Sequence, residues 1–294
     1  PHLSGAACDT NGAMTMRKRR RVLIAAGGTG GHIVPAAVFG RWIEERHAVD
    51  VAWLSGNRPL EGEIYGAFGI EPQRLSLEGS PLGVRSPIQA LRRSVGLVKA
   101  FEEAFRCLTR ARPDACVLFG GYVSLPPLLA CKIKKVPVVV HEQNAVAGRA
   151  TRLASRWGAA VGSGWDACEG VPSFVPVGIP VREPNPLPPR CAGERLGLSL
   201  PEKRRIVGVA GGSLGSEGLA EKVMDAAQNF EKRGEPVVFL FLGNAPEADL
   251  PSHVRFVGRR WDMNPFYSLC DALVCRGGGS TLAEALRWGI PALV

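Results

Sequence analysis

Short runs of consecutive apolar residues alternate along this chain with longer stretches whose apolar positions recur at helical spacing. The first run, residues 22–26, passes straight into Gly27-Gly28-Thr29-Gly30-Gly31, after which Ile33, Ala36, Ala37 and Ile43 mark one face of a helix. Residues 51–54, 116–119 and 136–140 are further apolar runs bounded by glycine and proline. Strands that are apolar on both faces belong to a parallel sheet covered on each side by helices. The same plan restarts at Arg205. A strand is expected at 206–210, a turn at Gly211-Gly212-Ser213-Leu214-Gly215 and a helix at 219–230. Strands follow at 237–242, 254–257 and 272–275, the last entering Gly277-Gly278-Gly279 and another helix.

Aligned on their first strands, the two halves read RVLIAAGGTGG and RIVGVAGGSLG. Between them, residues 178–189 (GIPVREPNPLPP) are too rich in proline for a helix or a central strand. The expected division is a lead over 1–16 without apolar periodicity, disordered or an upstream extension. A first domain over 17–177, a linker over 178–190 and a second domain over 191–294 follow. The second domain stops at Pro291-Ala292-Leu293-Val294, in the start of a strand with no closing helix, and is expected to be incomplete. The predicted fold class is α/β: two Rossmann-like, doubly wound parallel-sheet domains facing each other across a cleft. Ligands of such sheets sit outside the carboxyl ends of the strands, so both glycine turns should point into that cleft.

Composition sharpens this picture. The 294 residues, 46% hydrophobic and 21% charged, suffice for two domains with real cores and exclude a disordered or disulfide-scaffold chain. The net charge of +9 is unevenly shared: residues 1–160 hold 22 Lys/Arg against 12 Asp/Glu, and the remainder 14 against 15. Such asymmetry implies an acidic surface as partner, either nucleic acid or anionic lipid. Eight cysteines (Cys8, Cys107, Cys116, Cys131, Cys168, Cys191, Cys270, Cys275) form no CxxC pair and no zinc spacing with a histidine, and a reducing compartment is expected. Arg17-Lys18-Arg19-Arg20-Arg21 before residues 22–26 superficially resembles a signal peptide, but its apolar core is too short. No apolar run approaches the roughly 18–20 residues of a spanning helix, so a soluble or peripheral protein is expected.

Glycine turns that open helices are anion sites, because free N–H groups and the helix dipole face the ligand. Three occur here, at 27–31, 211–215 and 277–279. Any one alone could be a tight corner; three aimed at one cleft favour a phosphorylated ligand. The dinucleotide pattern fails, since Ile33 stands where the third glycine belongs and no carboxylate ends the second strand. A P-loop fails too, because no Gly-Lys-Ser/Thr follows any turn. His32, at the mouth of the cleft, either takes a proton from an attacking hydroxyl or caps the helix. His141-Glu142-Gln143-Asn144 lies at another strand's carboxyl end, a polar cluster or a satisfied turn. Glu284 can accept both hydroxyls of a ribose or stand as a solvated helix residue, and Ser280-Thr281 are natural N-cap types. No Asp-x-Asp exists, so neither a metal nor another cofactor is expected; turn amides would hold the diphosphate.

Five segments carry a resemblance. Gly27-Gly28-Thr29-Gly30-Gly31-His32-Ile33-Val34-Pro35-Ala36, Gly120-Gly121-Tyr122-Val123-Ser124, His141-Glu142-Gln143-Asn144, Gly211-Gly212-Ser213-Leu214-Gly215 and the stretch 275–284 (CRGGGSTLAE) resemble, in order, the signatures of the MurG family of peptidoglycan N-acetylglucosaminyltransferases. The resemblance runs from 22 to 294. It implies the two-domain GT-B fold and transfer of N-acetylglucosamine, with inversion, from UDP-N-acetylglucosamine to the C4 hydroxyl of the muramoyl sugar of lipid I, giving lipid II. It also implies a peripheral location on the cytoplasmic face of the membrane. Carried over by motif, Thr29, Gly30 and Gly31 approach the donor sugar and diphosphate, and Tyr122 belongs to the substrate site. Asn144 contacts the transferred sugar, and Arg182 and Ser213 bind the diphosphate. Gly279, Ser280, Thr281, Leu282, Ala283 and Glu284 line the nucleotide pocket, with Glu284 on the ribose and Arg260 near the uracil. Inversion needs a base on the face opposite the leaving group, for which His32 is the candidate, with Asn144 and Glu142 as fallbacks. Departures are Ile179 where that family has Asn, Gly277 where it has Ser, and a glutamine-bearing loop that falls beyond Val294. A chain ending there is expected to turn over weakly or not at all.

The basic first half then acquires a partner. Leu82, Val84, Arg85, Ile88, Leu91, Arg92, Arg93, Val95, Leu97, Val98 and Lys99 mix apolar and cationic residues in an interfacial pattern, and Lys132-Ile133-Lys134-Lys135 adds charge. The pattern suits an anionic membrane surface or a solvated helix with a core face. Nucleic acid is disfavoured, for want of an aromatic stacking platform. Two other classes compete: another lipid-directed GT-B transferase, and a non-catalytic nucleotide-binding protein.

Overall fold

A computed structural model describes residues 19–77, 79, 87–199, 204–212, 217–246 and 250–294. The lead over 1–16, Ser213 and Leu82, Val84 and Arg85 lie outside the described residues, as do the side chains of Ile88, Leu91, Arg92 and Arg93.

The first domain runs β1 (Arg21–Ala25), α1 (Gly30–His47), β2 (Asp50–Ser55), α2 (Pro59–Ala67), β3 (Gln73–Arg74), α3 (Pro87–Ala111) and β4 (Ala115–Leu118). After a 3-10 turn at Tyr122–Ser124 come α4 (Leu125–Lys134), β5 (Val138–Glu142), α5 (Arg149–Arg156), β6 (Ala160–Ser163) and β7 (Val175–Pro176). Its strands pair in parallel in the order β3-β2-β1-β4-β5-β6-β7. The second domain comprises α6 (Pro189–Leu196), β8 (Arg205–Ala210), α7 (Glu217–Lys232), β9 (Val237–Phe241), β10 (Val254–Phe256), α8 (Asn264–Tyr267), β11 (Ala272–Cys275), α9 (Gly279–Trp288) and β12 (Ala292–Leu293). Its sheet is likewise parallel, in the order β10-β9-β8-β11-β12.

Both orders reverse direction beside the domain's first strand, between β1 and β4 and between β8 and β11. That reversal opens the crevice in which doubly wound sheets bind ligands. Each sheet is packed on both faces. Leu23, Leu54, Leu118 and Leu128 lie in one core of the first domain, and Ile24, Ile33, Ile64 and Phe119 in the other. In the second domain the corresponding clusters centre on Leu240, Phe266 and Leu273, and on Val223, Phe239 and Phe241. Residues 177–188 form no helix or strand, and Pro189 at the first position of α6 fits the rule that proline opens helices. Three strands are absent from the apolar-run reading. β3 and β7 are two-residue edge strands, too short to leave a pattern, and β6 (AVGS) has Val161 as its one large apolar residue.

Candidate functional site

The two domains close on a cleft of about 450 Å³, lined from one side by Thr29, Gly30, Gly31, His32, Gln143 and Asn144. The other side brings Arg259, Arg260, Trp261, Tyr267, Arg276 and the start of α9, with Arg182 arriving from the linker. The β1–α1 turn is shaped by Gly28, whose φ of +97° is a conformation open to glycine. Its N–H donates to Glu61 Oε1 (2.7 Å), a buried carboxylate from α2 that also accepts the Tyr122 hydroxyl at 2.5 Å. One turn amide is therefore consumed internally, and Tyr122 stands behind the turn rather than lining the cleft as the motif implied. Arg58 stacks over its ring at 4.8 Å.

Neither α1 nor α9 has a side-chain N-cap. Both helices open at the cleft, where the positive ends of their dipoles meet. Ser280 is not the N-cap its residue type suggested. That position is Gly278, and the Ser280 hydroxyl instead donates to the Gly31 carbonyl across the cleft at 2.9 Å. Gly279 approaches β5 so closely that a Cβ would lie 2.0 Å from the Gln143 carbonyl oxygen. Thr281 and Glu284 line the cleft, whereas Leu282 packs against the second domain's core and Ala283 is not among the cleft-lining residues. The 3.6-residue period sends these two neighbours around the helix, and that corrects their assignment.

Four arginines (Arg182, Arg259, Arg260, Arg276) and one carboxylate, Glu284, line the cleft, a balance of charge that favours an anionic ligand. Glu284 accepts the Tyr267 hydroxyl at 2.8 Å. Burial raises its pKa, against which the Tyr267 bond and Arg182 pull. Arg182 donates to the Trp261 carbonyl and stacks on Phe68 at 4.7 Å, its pKa lowered by desolvation. Arg260 is braced by its bond to the Val257 carbonyl at 2.8 Å.

At the carboxyl end of β5, Glu142 is wholly occupied. Oε1 accepts the backbone N–H and side-chain amide of Asn144 (3.1 and 3.0 Å), and Oε2 accepts Gly148 N–H (2.9 Å) and the Thr151 hydroxyl (2.5 Å). Those four bonds make it a brace for Asn144 and for the start of α5, not a free base, which corrects its role as a fallback. His32 is half-buried, with Nδ1 2.9 Å from Gln143 Oε1. Among the described residues no cluster of His, Cys, Asp or Glu could hold a metal ion. Sequence reasoning missed Glu61, Trp261, Tyr267 and Arg276. Only Arg276, beside the third glycine turn, carried a local signal.

Two doubly wound domains that clasp an arginine-lined, helix-capped cleft with a histidine at its mouth define a GT-B glycosyltransferase. Residues 22–163 match the glycosyltransferase family 28 N-terminal domain, and residues 206–294 the family 28 C-terminal domain. The chain belongs to glycosyltransferase family 28 and, within it, to the MurG family. A UDP-N-acetylglucosamine--N-acetylmuramyl-(pentapeptide) pyrophosphoryl-undecaprenol N-acetylglucosamine transferase of Pseudomonas fluorescens is 33% identical over 281 residues, covering 93% of this chain and 76% of that protein. Its namesake from Pseudomonas entomophila is 31% identical over 283 residues, covering 94% and 76%. The crystal structure of Acinetobacter baumannii MurG superposes with a TM-score of 0.66 at 26% identity, covering 93% of this chain and 78% of that one. The glycosyltransferase SnogD from Streptomyces nogalater (TM-score 0.61, 18% identity, covering 94% and 81%) shares the fold.

Proposed function

We propose that this protein transfers N-acetylglucosamine from UDP-N-acetylglucosamine to the C4 hydroxyl of the muramoyl sugar of lipid I, giving lipid II with inversion at the anomeric carbon. The observation that carries this reading is the pairing of His32 with two uncapped helix N-termini and four arginines in one cleft. As the bond from the anomeric carbon to the β-phosphate oxygen breaks, its electron pair goes onto the diphosphate. The amides of α9, with Arg182 and Arg276, meet that growing charge in this reading. The acceptor's C4 oxygen attacks from the opposite face and passes its proton to His32. Asn144, braced by Glu142, orients the transferred sugar. Glu284, held by Tyr267, takes the ribose hydroxyls, and Arg260 stands by the base. In the resemblance Ser213 joins the diphosphate site.

The acceptor's lipid would hold the protein at an anionic membrane surface on the cytoplasmic face. Support comes from α3 and α4, which pack together: α3 exposes Val95, Val98 and Lys99, and the end of α4 exposes Lys132, Ile133 and Lys135. No helix among the described residues is long and apolar enough to cross a membrane. The test is UDP release from UDP-N-acetylglucosamine with and without a lipid I analogue. Release that depends on the analogue supports the reading, and none above the background overturns it.

A further inference from the structure

A chain of hydrogen bonds behind His32 has a direction fixed at both of its anchors by backbone carbonyls. His141 Nε2 lies 2.8 Å from the Gly178 carbonyl oxygen. A carbonyl only accepts, so that nitrogen carries a proton. Burial lowers the His141 pKa, which keeps the ring neutral and leaves Nδ1 as a lone pair. The side-chain nitrogen of Gln143 sits 3.0 Å from this Nδ1 and 3.1 Å from the His141 carbonyl oxygen. Two acceptors on one side decide which end of the amide is NH₂. The Gln143 oxygen is left facing His32 Nδ1 at 2.9 Å, and being an acceptor it requires a proton there. Neutral His32 then has its lone pair on Nε2.

We propose that Gln143, anchored by His141, is a positioning residue that holds His32 in the Nδ1–H tautomer and thereby makes Nε2 the atom that receives the acceptor's proton. This rests on the transferase reading above. During transfer the hydroxyl proton moves to Nε2 as the new C–O bond forms and the diphosphate departs with its electron pair. The imidazolium so formed keeps donating Nδ1–H to a neutral amide, not to a carboxylate. Gln143 thus supplies orientation without adding a charge that would raise the basicity of the ring. It is buried, and its backbone carbonyl accepts Trp165 Nε1–H at 2.9 Å. The bonds at both ends of its side-chain amide leave it little freedom to turn over.

The experiment is nitrogen-15 NMR on histidine-labelled protein at alkaline pH, where imidazoles are neutral. Five histidines give a readable spectrum, and loss of one pattern in His32→Gln assigns it. The unaltered protein is expected to show His32 as Nδ1–H. Gln143→Met, similar in size but unable to hydrogen-bond, should shift His32 towards Nε2–H. It should also lower kcat about 10- to 100-fold, with KM for UDP-N-acetylglucosamine within about threefold. An Nε2–H pattern in the unaltered protein overturns the proposal without recourse to any variant. So does a Gln143→Met protein that keeps the Nδ1–H pattern or its full kcat. Absence of UDP release by the unaltered protein defeats the transferase reading instead, and leaves the tautomer result standing on its own.

Discussion

At the scale of single residues, the cleft divides labour between a base and its binding groups, and the two should separate kinetically. Replacing His32 by Ala removes the proton acceptor while leaving the arginines and helix termini in place. The expected outcome is a fall in kcat of about 10²- to 10⁴-fold with donor affinity nearly unchanged. Equal losses in both would reduce His32 to a positioning role. Glu284 offers a contrast, because its burial sets function against stability. Its pKa is raised from 4.5, so the folded protein binds the proton more tightly than the unfolded chain does. Stability from this group is complete below pH 4.5 and is lost as pH rises through the raised value. Glu284→Gln resembles the neutral form and keeps an acceptor for Tyr267. The variant should melt above the parent at neutral pH, a gap that closes as pH is lowered towards 4.5. Titration with UDP should show binding weakened about 10- to 100-fold through the lost charged hydrogen bonds. Residues of this kind differ in how far the sequence discloses them. His32 follows a glycine turn and was legible. Glu61 and Tyr267 sit in ordinary helical surroundings, and their roles arise only when α2 meets the β1 turn and α8 meets α9. The part played by Gln143 depends on a carbonyl 35 positions away, at Gly178, which no local pattern could supply.

Between elements, the closed cleft depends on helix ends touching across the domains. α1 and α9 meet where Ser280 bonds to the Gly31 carbonyl and Gly279 lies against β5. The loop after β10 adds Trp261, which packs on the core of the first domain, and Arg259, which pairs with Glu63 at 3.5 Å. The ion pair is half-exposed and worth less than about 1 kcal/mol. Backbone contact is the stiffer constraint, since the Gln143 carbonyl cannot move aside as a side chain could. Gly279→Ala should therefore hold the domains apart while leaving each one folded. Far-ultraviolet dichroism should be unchanged, the radius of gyration by small-angle scattering should increase, and transfer should fall at least about 10-fold. An unchanged radius with full activity would show that β5 and α9 can give way. Apolar runs made the sheets and the turn after β1 legible. The contact between α1 and α9 was not, because each helix reads identically whether its N-terminus faces water or another helix.

Across the whole molecule, charge and apolar exposure coincide on one domain. The excess of cations falls in residues 1–160, and the first domain exposes Val95, Val98 and Lys99 on α3 and Lys132, Ile133 and Lys135 at the end of α4. A single exposed valine needs no explanation, but exposed apolar residues interleaved with lysines on two helices that pack together have the composition of a surface that enters a lipid interface. Each lysine near an anionic leaflet contributes about 1 kcal/mol, and that share is screened by salt. The apolar share is not. The protein should co-sediment with vesicles containing anionic phosphatidylglycerol at low ionic strength and much less with neutral phosphatidylcholine vesicles. Raising the salt should release most of it. Replacing Lys132 and Lys135 together by Glu should weaken vesicle binding at least about 10-fold, reversing two favourable terms. Because both residues lie away from the cleft, turnover of a water-soluble acceptor analogue should be unaffected. Binding that ignores both salt and these substitutions would leave the basic half without a membrane role and return its charge to ordinary solvation.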